Sequence, residues 1–319
     1  MKFISIVTPC YNEEHNVRSI YQAIKKIFTK LNEYNYEHIF IDNASKDNTV
    51  AILKDIARND SNVKIIVNAR NFGPVRSPYY GLLQSSGDSV ILIAADFQEP
   101  PDLIPDFLKK WEQGYKVISA IKTKSEELII IFQLRKIFYF LLDKLSEVKL
   151  TRNNTGFGLY DKTVIEILRD LDEPYPYFRG LICELGFESA KIQYVQPVRK
   201  KGKSKAKFYT LYDQAMLGLT SHTKIPLRMA AILGFTSSTL SLFIAIIYFV
   251  YKLLFWELFS VGIAPVIIGL FFFSSIQLFF LGILGEYVGW IHTHALRRPL
   301  VIEKERINFD ERDSDNNPN

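Results

Sequence analysis

Acidic and amide side chains follow two short apolar segments in the N-terminal half of the chain. Asp42 ends the segment 38–42, and Asp96 comes soon after the segment 89–94, with Gln98 two positions further on. Carboxylate and amide oxygens are the ligands that a hard divalent cation prefers, particularly one that also binds substrate phosphates. The spacing therefore predicts a site for Mg²⁺ or Mn²⁺ at Asp96 and Gln98, with Asp42 in the same crevice.

A simpler role is open to the same residue types, because Asp and Asn at the turn from a strand into a helix commonly cap the helix. For Asn12 and Asp47 we weigh capping and ligand binding equally. For Asp42 and Asp96 we favour ligand binding, because each one stops an apolar strand at a position that would face the crevice.

The scaffold that must position these residues alternates apolar strands with helices over residues 1–198. The first helix, for example, has apolar residues at helical spacing from Val17 to Phe28. Such alternation predicts an α/β fold with a mainly parallel sheet covered by helices on both faces. Ligands of such sheets bind beyond the carboxyl ends of the strands. The predicted strands are 3–8, 38–42, 63–67, 89–94 and 117–121, and the predicted helices are 16–29, about 49–57 and one after Pro101.

The composition of the 319 residues excludes several classes of protein. A hydrophobic share of 48% rules out a wholly disordered chain, and two cysteines, Cys10 and Cys183, make neither a disulfide scaffold nor a zinc site. The net charge of +5 is too small to indicate a nucleic-acid partner. The P-loop and GxGxxG motifs are both absent from the sequence, which excludes those two modes of nucleotide binding.

The mean hydropathy of +0.04 conceals two long apolar segments. Residues 229–251 and 258–285 contain no charged residue, and each is longer than the roughly 20 residues that span a bilayer core. We predict two transmembrane helices within residues 229–296, at about 229–253 and 260–288, that form a hairpin. The alternative is a pair of buried helices in a large soluble core.

Basic residues predict the orientation of this hairpin. They are dense between Arg199 and Arg228 and recur at Arg297 and Arg298, whereas the connector between the spans offers only Lys252. The positive-inside rule then places residues 1–207 and the tail 297–319 in the cytoplasm. We expect an integral membrane protein of a bacterial plasma membrane, with a tail that is polar enough to be disordered.

Two further segments could bring the catalytic domain to the bilayer. Apolar residues at helical spacing from Phe208 to Leu219 predict an amphipathic juxtamembrane helix within residues 208–228. Residues 128–145 are strongly apolar but carry charges that make a poor spanning helix. An ordinary core-facing helix is the alternative for each segment.

Four motifs in order, PCYNEE, IDNASKDNT, NFG and ADFQEPP, resemble those of the family 2 glycosyltransferases, which have the GT-A fold and bind nucleotide sugars. The resemblance covers residues 3–210. The basic run RKKGKSK and the two-helix hairpin narrow it, so that nearly the whole chain resembles the polyprenyl-phosphate glycosyltransferases. This group includes dolichol-phosphate mannose synthases and bactoprenol glucosyltransferases.

The resemblance implies roles for individual residues. It implies that Asp96 and Gln98 hold Mg²⁺ or Mn²⁺ on the diphosphate, and that catalysis also involves a basic loop closing over phosphates from the membrane side. It also implies a nucleotide pocket after the first three strands. The loop residues are Arg199, Ser204 and Lys205, and those of the nucleotide pocket are Pro9, Tyr11, Glu13, Asp42, Asn43 and Arg70. The alternatives are a solvated basic patch for the loop and a structural role for Arg70.

Two departures from the family pattern bear on the chemistry. Ala94 stands where the family commonly has the first Asp of Asp-x-Asp, and Gly156 stands where many relatives have a catalytic Asp. A hydroxyl acceptor needs a general base, whereas a phosphate monoester, with a second pKa of about 6, is already largely a dianion at neutral pH. The missing carboxylates therefore fit a lipid-phosphate acceptor, unless Asp161 or Glu99 proves to be an indispensable base.

We expect an inverting, metal-dependent hexosyltransferase that uses a UDP- or GDP-sugar and a polyprenyl phosphate at the cytoplasmic membrane face. Its product would serve as a sugar donor on the opposite face, for a cell-envelope glycan. One alternative is a hydroxyl-acceptor polysaccharide or glycolipid transferase, and the other is a catalytically weak membrane scaffold. The sequence names neither the sugar nor the lipid length, and it leaves a homo-oligomer open.

Overall fold

The structure is a computed structural model. It describes residues 1–123, 151, 153–197, 213, 216–218, 220–221, 223–255 and 263–309. The basic-loop residues Arg199, Ser204 and Lys205 lie outside these ranges, as do the segment 128–145 and most of residues 208–219, the amphipathic part of the predicted juxtamembrane helix.

Strands and helices alternate through the first part of the chain, as the sequence predicts. The strands are β1 (Lys2–Cys10), β2 (Tyr34–Asp42), β3 (Val63–Asn68), β4 (Ser89–Leu92), β5 (Val117–Lys122), β6 (Asn154–Asp161), β7 (Ser189–Tyr194) and β8 (Glu303–Ile307). The helices are α1 (Val17–Phe28), α2 (Thr49–Asn59), α3 (Gly73–Leu83), α4 (Ile104–Glu112), α5 (Lys162–Asp170), α6 (Phe178–Glu184), α7 (Ile225–Leu254) and α8 (Ile263–Ala295). β4 ends at Leu92, two residues earlier than predicted, so Asp96 lies within the loop that follows β4 rather than directly after the strand.

The strands form one sheet in the order β7-β5-β6-β4-β1-β2-β3-β8. The central pairs β4-β1, β1-β2 and β2-β3 are parallel, as is β5-β7, and the remaining three pairs are antiparallel. This confirms the predicted α/β fold with a mainly parallel sheet. Because the central strands are parallel, their carboxyl ends open at one edge of the sheet.

Helices cover both faces of the sheet. Phe40 of β2 packs with Ile20 of α1 and Leu53 of α2 in one core, whereas its neighbour Ile41 packs with Tyr79 of α3 in the other. Successive side chains of a strand point to opposite faces. Strands that are buried on both faces therefore read as continuous apolar runs, which explains why they were recognisable in the sequence.

The predicted disorder of the tail is wrong for residues 303–307. These residues form β8, which pairs with β3 as an antiparallel edge strand. The segment has few apolar residues, but backbone hydrogen bonds and ion pairs hold it, including one of 2.6 Å between Lys54 Nζ and Glu305 Oε2. Low hydrophobicity did not reveal this order, because an edge strand draws its partners from distant parts of the chain. Residues 310–319 lie outside the described ranges.

Two helices, α7 and α8, are long and apolar enough to cross a membrane. The candidate spanning segments are Ile225–Ile244 and Gly269–Ala295, and the most apolar stretch of each contains no buried residue. Large apolar side chains are exposed along both helices; Phe235, for example, is 77% exposed and Leu270 63%. Neither helix is buried in a core within the described structure, which argues against the alternative raised by the sequence.

Candidate active site

The carboxyl ends of β1, β2 and β3 lie side by side. Cys10 pairs in register with Asp42, and Asp42 with Val67. Ile93, just after β4, donates its backbone N–H to Val7 of β1 at 3.0 Å. The loops that follow these four strands therefore meet at one edge, and the polar residues predicted from three of the strand ends are brought together.

The loops after β1 and β2 are hydrogen-bonded to each other. The backbone N–H of Asn12 donates to Ser45 Oγ at 2.8 Å, and the Asn12 side-chain oxygen accepts from the backbone N–H of Lys46 at 2.7 Å. The backbone N–H of Glu13 donates to Thr49 Oγ1 at 2.8 Å. Asn12 thus joins two loops rather than capping a helix, and it holds the strand ends in a fixed arrangement.

Asp47 has the structural role that the sequence left open. Its Oδ1 accepts from the backbone N–H of Thr49 at 3.0 Å, at the start of α2, and its Oδ2 accepts from the backbone N–H of Glu14 at 3.3 Å. Burial raises the pKa of this carboxyl, but the hydrogen bonds from Thr49 and Glu14 outweigh it and leave the pKa lowered.

Asp42 is fully buried at the end of β2. Its Oδ2 accepts from the backbone N–H of Ser45 at 2.9 Å, whereas its Oδ1 is buried without a hydrogen-bond partner among the described residues. Burial raises the pKa of Asp42, against the hydrogen bonds from Ser45. An unsatisfied buried carboxylate oxygen is costly, and a ribose hydroxyl or a base N–H would supply the missing donor.

Asn43 holds the loop after β3 in place. Its amide nitrogen donates to Asn71 Oδ1 at 3.0 Å and to the carbonyl of Gly73 at 3.1 Å. Its oxygen accepts from the backbone N–H of Phe72 at 2.8 Å and from Asn68 Nδ2 at 3.2 Å. The sequence predicts a nucleotide contact for Asn43, but all these hydrogen bonds are to the protein, so its evident role is to position the loop.

Arg70 lies on the loop that Asn43 holds. Its guanidinium is exposed and stacks on the ring of Phe72, with Cζ 4.1 Å from the ring centroid. The described structure thus presents Arg70 to a ligand at the same edge as Asp42. Pro9, Tyr11 and Glu13 follow from β1 at this edge and are half-buried.

The loop after β4 carries the predicted metal ligands. Asp96 is 8% exposed, and its Oδ1 accepts from the backbone N–H of Gln98 at 3.1 Å. Phe97 between them has a left-handed backbone (φ 59°), as do Asn12 (φ 54°) and Ala44 (φ 59°) on the neighbouring loops. Such conformations are costly for residues such as Phe and Ala, and they cluster at functional sites.

Asp96 and Gln98 fit a divalent cation that arrives with a diphosphate. Among the described residues, no three His, Cys, Asp or Glu side chains form a complete metal cage. Mg²⁺ commonly takes one or two protein oxygens and fills its other positions with substrate phosphates and water. One carboxylate and one amide oxygen are consistent with that incomplete set.

Glu99 also belongs to the site, although the sequence analysis named it only as a possible base. Its Oε2 accepts from the backbone N–H of Ala94 at 2.7 Å, and its Oε1 accepts from Thr155 Oγ1 at 2.9 Å. Burial raises the pKa of Glu99 to about 7, against the hydrogen bonds from Ala94 and Thr155. The position of Glu99 within the motif ADFQEPP was the only sign in the sequence that it belongs to the site. Its contact with Thr155 of β6 cannot be predicted from that motif.

Comparison with known proteins identifies the family. The sequence pattern described as glycosyl transferase family 2 matches residues 5–168. The chain belongs to glycosyl transferase family 2. An uncharacterized glycosyltransferase of Bacillus subtilis is 34% identical over 93% of this chain and 92% of its own length. The bactoprenol glucosyl transferase of Shigella phage SfV is 31% identical over 94% of this chain and 98% of its own. The predicted family is thereby confirmed.

Solved structures include more distant matches. One of them, glucosyl-3-phosphoglycerate synthase from Mycobacterium tuberculosis in complex with UDP, is 17% identical with a TM-score of 0.43. It covers 69% of this chain and 78% of its own.

Two further residues of this glycosyltransferase bear on a catalytic base. Gly156 has a left-handed backbone (φ 95°), which a side chain at this position would strain. Asp161 pairs with Ser89 at the start of β4, whereas Asp96 lies beyond the other end of that strand. Asp161 instead accepts hydrogen bonds from Trp111 Nε1 at 2.7 Å and Lys116 Nζ at 2.9 Å. It is therefore not placed to act as a base.

Proposed function

We propose that this glycosyltransferase moves a hexose-type sugar from a UDP- or GDP-sugar to a polyprenyl phosphate at the cytoplasmic face of a membrane. One observation carries the proposal: the match to a bactoprenol glucosyl transferase extends over 94% of this chain and 98% of the relative. So complete a match includes the two apolar helices as well as the catalytic sheet. A shared membrane anchor suits a shared lipid acceptor.

The donor nucleotide would lie across the carboxyl ends of β1, β2 and β3. The unpartnered Oδ1 of Asp42 would accept a hydrogen bond from the ribose or the base, and Arg70 would contact the nucleotide from the loop after β3. Asp96 and Gln98 would hold a divalent cation, which neutralises charge on a diphosphate leaving group when it is bound. The basic loop with Arg199, Ser204 and Lys205 would face the acceptor phosphate.

The described carboxylates favour a phosphate acceptor over a hydroxyl acceptor. Both oxygens of Glu99 already accept hydrogen bonds, and Asp161 lies at the far end of its strand. A polyprenyl phosphate is largely a dianion at neutral pH, so its oxygen can attack the anomeric carbon without losing a proton to the protein. What the protein must supply is the alignment of the two reactants. Attack from the face opposite the leaving group inverts the anomeric centre.

The test is to incubate the purified full-length protein with a panel of radiolabelled nucleotide sugars, Mg²⁺ and either polyprenyl phosphate or the unphosphorylated polyprenol. We expect label in the lipid fraction only with the phosphate. Transfer to the polyprenol alone would establish a hydroxyl acceptor instead. Nucleotide binding without transfer to either lipid would support a scaffold.

A further inference from the structure

Three arginines gather where the loop after β3 meets the chain leaving α8. The guanidinium groups of Arg70 and Arg76 both contact the ring of Phe72, with Cζ at 4.1 Å and 5.3 Å from its centroid. Arg76 also donates a short hydrogen bond to the carbonyl of Pro299, the residue after Arg298. Arg76 therefore lies between Arg70 on the loop after β3 and the chain segment that carries Arg298.

This arginine cluster has no counter-charge among the described residues. None of the three arginines forms an ion pair with a carboxylate there, and the Nε of Arg76 is buried without a hydrogen-bond partner. Burial and the positive charge of Arg70 lower the pKa of Arg76, with a smaller contribution from Arg298 and an opposing one from Tyr175. Like charges on neighbouring guanidinium groups repel one another, so an anion beside them would relieve the repulsion.

The start of α3 adds to the positive potential. The helix begins at Gly73, between Arg70 and Arg76, and its first turn has no acidic residue. The Gly73 N–H donates to Asn71 Oδ1 at 2.8 Å and Pro74 has no N–H, so the N–H groups of Val75 and Arg76 are those without a partner within the helix. A helix N-terminus carries a partial positive charge from its free backbone N–H groups. The surroundings of the cluster therefore favour an anion as well.

The position of Arg298 indicates which anion is available. The apolar segment of α8 ends at Ala295, only three residues before Arg298. The end of α8 is fixed to the chain before α7, because Tyr287 Oη donates to the carbonyl of Thr223 at 2.5 Å and Trp290 Nε1 to Ser221 Oγ at 3.2 Å. Basic residues just beyond a spanning helix lie at the level of the lipid headgroups.

The phosphates that react lie elsewhere. Asp96 follows β4, whereas Arg70 follows β3, and β1 and β2 lie between these strands. With neighbouring strands about 4.8 Å apart, β3 and β4 are about 14 Å apart across the sheet. An anion on the Arg298 side of the cluster would therefore lie beyond β3, at the opposite end of this edge from the predicted metal site.

We propose that Arg76 and Arg298 bind the headgroup phosphate of an acidic bilayer phospholipid, while Arg70 remains with the nucleotide. Arginine binds phosphate through two parallel N–H donors, which suits this role better than a single ammonium charge. A bound phosphate would join the membrane exit of α8 to the loop that Asn43 holds beside the nucleotide pocket. The inference rests on the membrane location in the proposed function.

The experiment is native mass spectrometry of the full-length protein in detergent, with added phosphatidylglycerol or phosphatidylcholine. Wild-type protein should retain more phosphatidylglycerol than phosphatidylcholine. Arg76→Gln and Arg298→Gln should each reduce that retention roughly tenfold, as expected for a lost charge-assisted hydrogen bond. Arg58→Gln, which removes an exposed arginine at the end of α2, is the matched control and should retain the lipid like wild type.

Arg76→Lys keeps the charge but loses the forked donor, so it should fall between wild type and Arg76→Gln. The exposed Arg298 can be replaced without disturbing the core, so Arg298→Gln decides the test if Arg76→Gln fails to fold. Equal retention of phosphatidylglycerol by Arg298→Gln and wild type would overturn the inference. So would weaker UDP binding with unchanged lipid retention, because the cluster would then belong to the nucleotide. Lipid transfer is assayed separately, so failure of the proposed function remains distinguishable.

Discussion

The carboxylate of Glu99 accepts a hydrogen bond of 2.7 Å from the backbone N–H of Ala94, across the loop that carries Asp96. Its other oxygen accepts from Thr155 Oγ1 at 2.9 Å, which ties the loop to β6. The backbone of Ala94, rather than its side chain, takes part in the site. The position of Asp96 therefore depends on Glu99.

Glu99→Gln should weaken metal-dependent transfer through the position of Asp96. A glutamine has no charge and only one accepting oxygen, so the hydrogen bond from Ala94 loses its charge assistance and Thr155 can bond the amide nitrogen only by accepting from it. The weakening of these two bonds costs about 1–2 kcal/mol, and we expect kcat/KM to fall roughly tenfold. The Mg²⁺ concentration for half-maximal rate should rise with it, which a general loss of folding would not produce. An unchanged Mg²⁺ requirement would contradict a positioning role.

Thr155→Val is the companion variant, because it removes the other donor to Glu99 while keeping the shape of the side chain. Since the two residues act through one hydrogen bond, the double variant should lose less activity than the sum of the two single losses. Strict additivity would show that Glu99 and Thr155 act independently.

Asp96→Ala should abolish sugar transfer to polyprenyl phosphate at all Mg²⁺ and Mn²⁺ concentrations, because it removes the only carboxylate of the predicted metal pair. Binding of UDP without metal should persist, since Asp42 and Arg70 lie on other loops. The measurements are product formation and nucleotide titration. Asp170→Ala, which removes an exposed carboxylate at the end of α5, is the control for a change of charge. Transfer retained by Asp96→Ala would refute the metal assignment.

Local sequence pattern predicted the central strands and the edge at which their polar residues meet. Each of β1 to β5 is short, apolar and followed by a polar turn, and the parallel order of the central strands brings Asp42 and Asp96 to one edge. β8 was missed because residues 303–307 are polar and become ordered only through distant partners such as Lys54. Asn43 holds the loop after β3 in place, which the sequence did not predict. Its hydrogen-bond partners lie at residues 68–73, about 25–30 positions further along the chain.

Stability should decrease in acid because of His38. This buried side chain contacts Thr8 Oγ1 through Nε2 at 2.9 Å, and burial lowers its pKa from 6.5 to about 3. Between these values the unfolded chain binds a proton that the folded protein excludes, so the free energy of unfolding falls as pH falls. The slope from this group is at most about 1.4 kcal/mol per pH unit.

His38→Gln should flatten this dependence, measured as the denaturant midpoint across the same pH range. His15→Gln, at an exposed histidine, should leave the slope as in wild type. If His38→Gln kept the full wild-type slope, another group would be responsible.

Removal of β8 should destabilise the catalytic domain, although β8 follows the apolar helices in the chain. Truncation after Ile302 would remove the backbone pairing with β3, the hydrogen bond of 2.9 Å from Tyr80 Oη to Glu303 and the ion pair between Lys54 and Glu305. Several hydrogen bonds at about 1 kcal/mol each predict a loss of roughly 2–4 kcal/mol. The freed edge of β3 should also promote aggregation, because an uncovered edge strand can pair with another chain.

Truncation after Phe309 is the matched control, because it removes only residues 310–319 and keeps β8 complete. Thermal unfolding in detergent, with light scattering as a second readout, compares the two truncations with the full chain. We expect the shorter chain alone to unfold at a lower temperature and to scatter more light. Equal unfolding temperatures for both truncations would mean that β8 adds no stability, and that its hydrogen bonds with β3 only replace those that the edge makes with water.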